Sequence, residues 1–468
     1  MDVKALEPMM ISGREVLPLV EGGKGIAVST GVSSGAWAAA GGVGTFSGVN
    51  ADSYDEAGEM APNVYHGRTR GERHDELIAH AIRGGIAQAR LAWERSNGQG
   101  RLHMNVLWEM GGAEPILHGI LEGSKGLIHG VTCGAGMPFK VSDIAAQYGV
   151  YYYPIVSSAR AFKALWKRSY HKRPEFLGGV VYEDPWLAGG HNGLSNSEHP
   201  DQPQDPMPRV RELRQSMRDC GVPDSVPVFM AGGVWALEEW SDWIGNPELG
   251  AIAFQFGTRP LLTVESPIPE PWKKRLLTLK PGDVLLHRFS PTGFYSSAVR
   301  NAFLNELCER LDHQIPYSGE SVGEHVAELP IGARKRVVFV TPADRDHALA
   351  WIASGYTEAL RTPDSTLIFV TPARAERIRR DQNDCMGCLS ACLFSNWAQN
   401  ETGTTGKKPD PRSFCIQKTL QKVSHTDDIE NELMFAGHNA YRFATDPFYA
   451  NGFVPTVKQL VDRLTMGG

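Results

Sequence analysis

Eight short runs rich in β-branched and aromatic residues recur through the first 265 residues, with stretches between them that are long enough for helices. They are "VLPLV" (16–20), "GVGTFS" (42–47), "LHMNVLW" (102–108), "GLIHGVTC" (126–133), "YYYPIVSS" (151–158), "LGGVVYE" (177–183), "VPVFMAGG" (226–233) and "AIAFQFGT" (251–258). Runs with so little polar alternation suit strands buried on both faces, as in a parallel sheet covered by helices. Segments 73–96, 139–148, 207–219 and 236–244 space their apolar residues three and four apart, as amphipathic helices do. Eight strand–helix units in about 250 residues fit a closed TIM (β/α)8 barrel better than an open doubly wound sheet. The chain has 468 residues and is 42% hydrophobic, so it has room for one such barrel and a smaller appendage. The expectation is an α/β protein: a barrel over residues 1–305 and a smaller, cysteine-rich α/β extension over 306–468.

Some stretches break the rhythm. Residues 194–208, "LSNSEHPDQPQDPMP", are polar and proline-rich and follow the sixth run, on the side where barrel loops carry function; they read as an active-site loop or lid. A helix is expected near 298–312. Beyond it "FVTPA" occurs twice, in 336–352 and 366–380, each time ahead of a helix-like run, as in a duplicated strand–helix element.

Glycines gather where the strands end: "EGGKG" (21–25), "AGGHNG" (188–193), "AGGV" (231–234) and "QFGT" (255–258). Without side chains there, a ligand can approach the backbone, and successive N–H groups make an anion nest. Barrels of this kind place phosphate on the loops after strands 7 and 8, which carry Gly232, Gly233, Gly257 and Thr258.

In sequence order, "PLVEGGKGIAVS", "AAAGGVGTFSG", "AGGHNG", "FMAGGV" and "QFGTRPLLTVES" resemble the signatures of the nitronate monooxygenase family, formerly the 2-nitropropane dioxygenases. The related flavin-dependent enoyl-acyl-carrier-protein reductases share them. The resemblance spans roughly residues 16–305 and implies a barrel that holds FMN. By position, Gly189, Gly190, Gly232, Gly233, Gln255, Gly257 and Thr258 would hold the phosphate and ribityl groups. The backbone at Gly23, Lys24 and Gly25 would lie by the flavin ring, and Asn105 would hydrogen-bond its pyrimidine edge. Methionine is common in the family where this chain has Lys24, whose amine would either face the ring or, the favoured reading, solvent.

The resemblance also implies that His191, after two glycines, faces the flavin. An unperturbed imidazole is poised near neutrality for proton transfer, so His191 is the candidate base or substrate-orienting group. His129 and Cys133 stand near the fourth strand and read as packed strand-end residues.

The last motif is "CMGCLSACLF" (385–394). Cys385, Cys388 and Cys392, with Cys415 further on, are four of only seven cysteines. The N-terminal stretch lacks the build of a secretory signal, so a reducing, cytoplasmic setting is expected, where clustered thiols bind metal or do redox work. The C-x2-C-x3-C spacing plus one distant cysteine suits a [4Fe-4S] cluster; zinc and a set of free buried thiols stay open.

With 47 basic against 53 acidic residues the chain has no footprint for nucleic acid or anionic membrane, which leaves a small-molecule substrate. The expected activity is FMN-dependent oxidation of nitronates or nitroalkanes with O2. The alternatives are an NAD(P)H-dependent enoyl-thioester reductase, or another reductase fed through the cluster, and a non-catalytic barrel that binds a phosphate ligand. A homodimer is compatible with the sequence, which does not fix the oligomeric state.

Overall fold

The computed structural model describes residues 6–466. Each of the eight runs contributes a parallel strand of one closed barrel. The strands are β1 (Leu19–Glu21), β2 (Val43–Ser47), β3 (Arg101–Leu107), β4 (Gly130–Gly134), β5 (Tyr151–Val156), β6 (Val180–Glu183), β7 (Val228–Ala231) and β8 (Ile252–Phe256). Pairing of Phe254 with Leu19 joins β8 to β1 and closes the ring.

Helices α1 (Gly31–Ala39), α2 (Arg70–Ser96), α3 (Ala113–Gly123), α4 (Val141–Tyr148), α5 (Ala159–Arg168) and α6 (Pro206–Asp219) follow the first six strands in turn. Local chemistry sets their starts. The Thr69 hydroxyl accepts the Glu72 N–H while the Glu72 carboxylate accepts the Thr69 N–H, a reciprocal box that opens α2. Strands and helices share one large apolar core that includes Phe46, Val106, Ile116, Phe162, Leu213 and Phe254.

Two helix expectations need correction. Of residues 236–244 only Leu237–Trp240 coils, as a 3-10 turn. The helix-like spacing there arises because Trp240 and Trp243 are both buried and pack edge to face. Near 298–312, Ser296–Val299 is a strand; after α7 (Glu270–Leu276), helix α8 (Ala302–Asp312) begins where the Asn301 side chain accepts the Leu304 N–H.

A hairpin, Met9–Ile11 with Arg14–Val16, plugs the N-terminal end of the barrel, and Ile11 and Val16 join Val20, Tyr153, Val181 and Phe229 inside it. Ser12 Oγ lies 2.9 Å from His103 Nε2 and 2.7 Å from the Tyr153 hydroxyl. Burial lowers the His103 pKa to about 3, with His129 and Arg101 adding repulsion. This group binds its proton more readily in the unfolded chain, so its stabilising contribution is full above about pH 6.5 and is lost as pH falls towards 3. Between pH 7 and pH 5, wild type should therefore lose about 2 kcal/mol relative to His103→Gln, as read from urea unfolding. Parallel pH profiles for the two proteins would remove His103 from the acid response.

Beyond α8, Gln314–Pro316, Thr366–Val370 and Glu358–Arg361 form a small antiparallel sheet, and Ala327–Ile331 pairs with Arg336–Val340. Both "FVTPA" stretches are a strand end turning into a helix, α9 (Pro342–Ala353) and α10 (Pro372–Asn383). Thr341 and Thr371 cap them with the same backbone angles, φ −69° and ψ 155°, and proline takes the first helical position, where its missing N–H is not needed. The chain then returns to the barrel through the cysteine loop, α11 (Ile416–Gln421) and a segment Leu433–Gly437. It ends on α12 (Val457–Thr465), which packs on α1. Among the described residues no helix is long and apolar enough to cross a membrane.

Candidate active site

The C-terminal ends of the barrel strands border a cavity of about 190 Å³ that opens to solvent. Gly23, Lys24 and Gly25 reach it from the loop after β1, and Asn105 from β3. Gly189, Gly190 and His191 come from the segment after β6. Gly232 and Gly233 follow β7, while Gln255, Gly257 and Thr258 belong to β8 and the turn after it. The structure thus brings together every residue singled out in the sequence for the flavin or for catalysis.

Two of the glycines are required by their surroundings. A Cβ on Gly23 would lie 2.1 Å from Asn105 Cβ, so only glycine lets the β1 loop pass over β3. Gly233 has φ +80°, and a Cβ there would lie 2.6 Å from Leu187 Cδ1. Gly257 differs: an added Cβ meets no protein atom within 4 Å.

His191 is held from three sides. Its backbone pairs with Ser296, Nε2 lies 2.6 Å from Ser290 Oγ, and the ring meets Phe435 edge to face at 5.3 Å. Ser290 is itself fixed by the Thr292 hydroxyl at 2.8 Å. Burial pushes the His191 pKa down to about 4. The expectation of an imidazole poised at neutrality is corrected accordingly: His191 is neutral there, a hydrogen-bonding group or an uncharged base rather than a cation.

Lys24 also departs from expectation. Its amine does not face solvent but donates to Glu21 Oε1 at 3.0 Å and to the Gly22 carbonyl at 3.1 Å. The Glu21 carboxylate is fully buried and accepts the Ser33 hydroxyl as well. The residues at 194–208 do not line the cavity, so they are no lid over it. Their prolines and polar side chains form an outer turn that ends where the Asp205 carboxylate caps α6.

The cover comes instead from Leu433–Gly437. The Val299 N–H donates to the Met434 carbonyl, Ala436 N–H to the Ser297 carbonyl, and Gly437 N–H to Thr258 Oγ1. Nothing in the local sequence signals this contact, which joins segments more than a hundred residues apart. Glu183 was also missed, although "VVYED" puts two carboxylates at the end of a doubly buried strand. It lines the cavity, and burial together with Asp184 raises its pKa to about 8, so it is largely protonated at neutrality. On the same wall, buried Asn50 Oδ1 has no hydrogen-bond partner.

Cys133 is buried in β4, where burial drives its thiol pKa up, and His129 accepts the Leu102 N–H; neither lines the cavity. Cys385, Cys388, Cys392 and Cys415 gather around a second, narrow void of about 10 Å³, and of the four only Cys388 also lines the first. All four are free thiols. Among the described residues, no group of three or more His, Cys, Asp or Glu is arranged to hold a metal ion.

A profile of the nitronate monooxygenase family matches residues 123–467, most of the chain. The match begins after β3 and runs through the cysteines. No curated protein matches the sequence. Among solved structures, the nitroalkane oxidase of Streptomyces ansochromogenes is 15% identical, covers 99% of this chain and 96% of its own, and superposes with a TM-score of 0.52. FabK of Thermotoga maritima is also 15% identical, with 99% and 93% coverage and a TM-score of 0.49. The enoyl reductase domain of MlnA from Bacillus amyloliquefaciens is 12% identical, with 96% and 93% coverage and the same TM-score of 0.49. The barrel and the family match together identify this chain as a member of the nitronate monooxygenase family of flavin-dependent oxidoreductases.

Proposed function

We propose that the large cavity binds FMN and that the enzyme oxidises nitronates or nitroalkanes with O2. The observation that carries this reading is the convergence of the glycine loops after β1, β6, β7 and β8 on one cavity beside a half-buried histidine whose pKa is held low. The donor set fits the cofactor. Gly257 presents open cavity where a side chain would intrude, Gly232 and Gly233 place consecutive amides at a strand end, and Asn50 Oδ1 offers an unused acceptor. Gly189, Gly190, Gly232, Gly233, Gln255, Gly257 and Thr258 would hold the phosphate and ribityl chain, with Gly23, Lys24, Gly25 and Asn105 at the ring.

When bound, a flavin accepts two electrons from the substrate and returns them to O2. The chain's own residues supply the rest. His191, uncharged and locked by Ser290 and Phe435, takes the acidic proton of a nitroalkane or orients a nitronate already formed. Protonated Glu183 can donate a hydrogen bond within the same cavity. The cover formed by Leu433–Gly437 limits water.

A second reading is favoured by the cysteine cavity alongside: a reductase that takes its electrons from outside, from NAD(P)H or through a metal cluster. Purified protein should show flavin absorption and consume O2 in proportion to an added alkyl nitronate, without NAD(P)H. Reduction of an enoyl thioester that depends on NAD(P)H, with no nitronate-driven O2 uptake, would overturn the oxidase in favour of the reductase.

A further inference from the structure

The four clustered cysteines have no part in the oxidase reading above, yet the fold brings them to one place. Cys385, Cys388 and Cys392 lie on one loop and Cys415 immediately precedes α11, and all four line the same narrow void. Four thiols converging on one buried place, in a chain with only seven cysteines, have the form of a binding site. Its remaining lining is mostly apolar, with Met386, Phe394 and Ile416, which suits a group held by thiolates and shielded from water.

The sequence spacing C-x2-C-x3-C with one distant cysteine argues for the kind of group. Zinc bonds sulfur at about 2.3 Å, which draws four tetrahedral sulfurs to about 3.8 Å from one another. No group of three or more candidate ligands among the described residues is gathered to hold one ion. A cube with iron at alternate corners holds each thiolate on a separate iron, so its ligands enclose a space rather than a point.

The loop is also built into the barrel rather than hung from it. The Gly111 N–H donates to the Cys388 carbonyl at 3.0 Å, and the Ser390 N–H to the Glu109 carbonyl at 2.7 Å. Arg73 Nε donates to the Cys385 carbonyl at 3.0 Å, and His74 Nδ1 lies 3.0 Å from the Gly387 carbonyl. Around the sulfurs, the Gly387 N–H donates to Cys385 Sγ at 3.4 Å and the Ser395 hydroxyl lies 3.0 Å from it, the kind of contact that tunes a cluster's potential. Cys388 and Ile416 belong to the walls of both cavities, so a group in the smaller one stands against the larger.

We propose that Cys385, Cys388, Cys392 and Cys415 hold one [4Fe-4S] cluster, a one-electron centre set in the wall of the cavity assigned to the flavin. On assembly four S–H protons pass to solvent and four thiolate–iron bonds form, with two ferrous ions, two ferric ions and four sulfides as the incoming components. In use the cluster gains one electron from a small one-electron carrier protein of the ferredoxin or flavodoxin class and passes the same electron to the flavin, its own atoms unchanged. The electron-transfer part rests on the flavoenzyme reading; the site itself does not. The cluster's electron supply is that of the second reading above, a flavin reductase fed from outside.

The test uses the full chain purified without oxygen, with iron, acid-labile sulfide, zinc and released flavin measured on one sample. About four iron and about four sulfide per chain are expected. Dithionite, standing in for the carrier, should give an electron paramagnetic resonance signal of a reduced cluster. Cys388→Ser should lose most of the iron, whereas Cys308→Ser, whose thiol lies away from the site on α8, should keep it. A Cys388→Ser variant that does not fold leaves the wild-type content to decide. One zinc per chain, or no iron after reconstitution with ferrous iron and sulfide, overturns the proposal. Flavin without iron overturns the cluster and leaves the flavoenzyme; iron without flavin upholds the cysteine site and removes its partner.

Discussion

His191→Ala should retain the flavin and lose about 100- to 10,000-fold in turnover, the usual contribution of a positioned acid–base group. The loss follows from how the ring is held. Strand pairing with Ser296, the 2.6 Å contact to Ser290 and the edge of Phe435 hold the imidazole in one orientation. Ser290→Ala keeps the imidazole but frees it to turn, so its loss should be smaller. The pH profile adds a check that a merely structural role would not meet. His191 works as an uncharged group, so kcat/KM for the free enzyme should fall only as pH drops through about 4, the value burial gives it, rather than near 6.5. Turnover close to wild type in His191→Ala, or an acid limb near 6.5, would assign the proton transfer to another residue, with Glu183 the next candidate.

Gly257→Val should fold as wild type does and emerge without flavin. An added Cβ at 257 touches no protein atom within 4 Å, so the new side chain enters open space at the cavity's edge without straining the fold. Position 233 makes a poorer test, because φ +80° and the 2.6 Å approach to Leu187 Cδ1 strain any side chain before a ligand is considered. Thermal unfolding and flavin released by heat, measured on the same preparation, separate the two effects. Stoichiometric FMN in a well-folded Gly257→Val protein would move the phosphate away from the β8 turn.

The barrel was legible because each of its strands is buried on both faces, which writes a continuous apolar run into the chain and leaves glycine where it ends. The cofactor-facing positions were legible for the same reason: a strand end in this fold has one destination. Side-chain direction was not. Lys24 sits on a loop whose sequence is equally consistent with solvent, and only the fully buried Glu21 beside it decides where the amine goes. The titration of His191 depends on enclosure by residues distant in the chain, Ser290 and Phe435, so its motif could name it but not its charge. The stretch 194–208 looked like a lid because loops rich in proline and polar groups at that end often are; composition reports exposure, not which opening a loop covers. The spacing of residues 236–244 misled because tryptophans packing from an irregular segment leave the same pattern as one face of a helix.

The cover over the cavity has a consequence for how the protein is made. All eight barrel strands have left the ribosome once Phe256 has emerged, but the cavity wall is not complete until Leu433–Gly437 follows. At about 5–20 residues per second that interval is roughly 10 to 35 seconds, long compared with the collapse of a domain. A nascent barrel therefore waits with its ligand face open. Asn439, which donates to the Gly233 carbonyl at 2.6 Å, arrives only at the end of this interval. Loading of a large cofactor can thus precede closure during synthesis, whereas refolding of the finished chain must bring cofactor and cover together in competition.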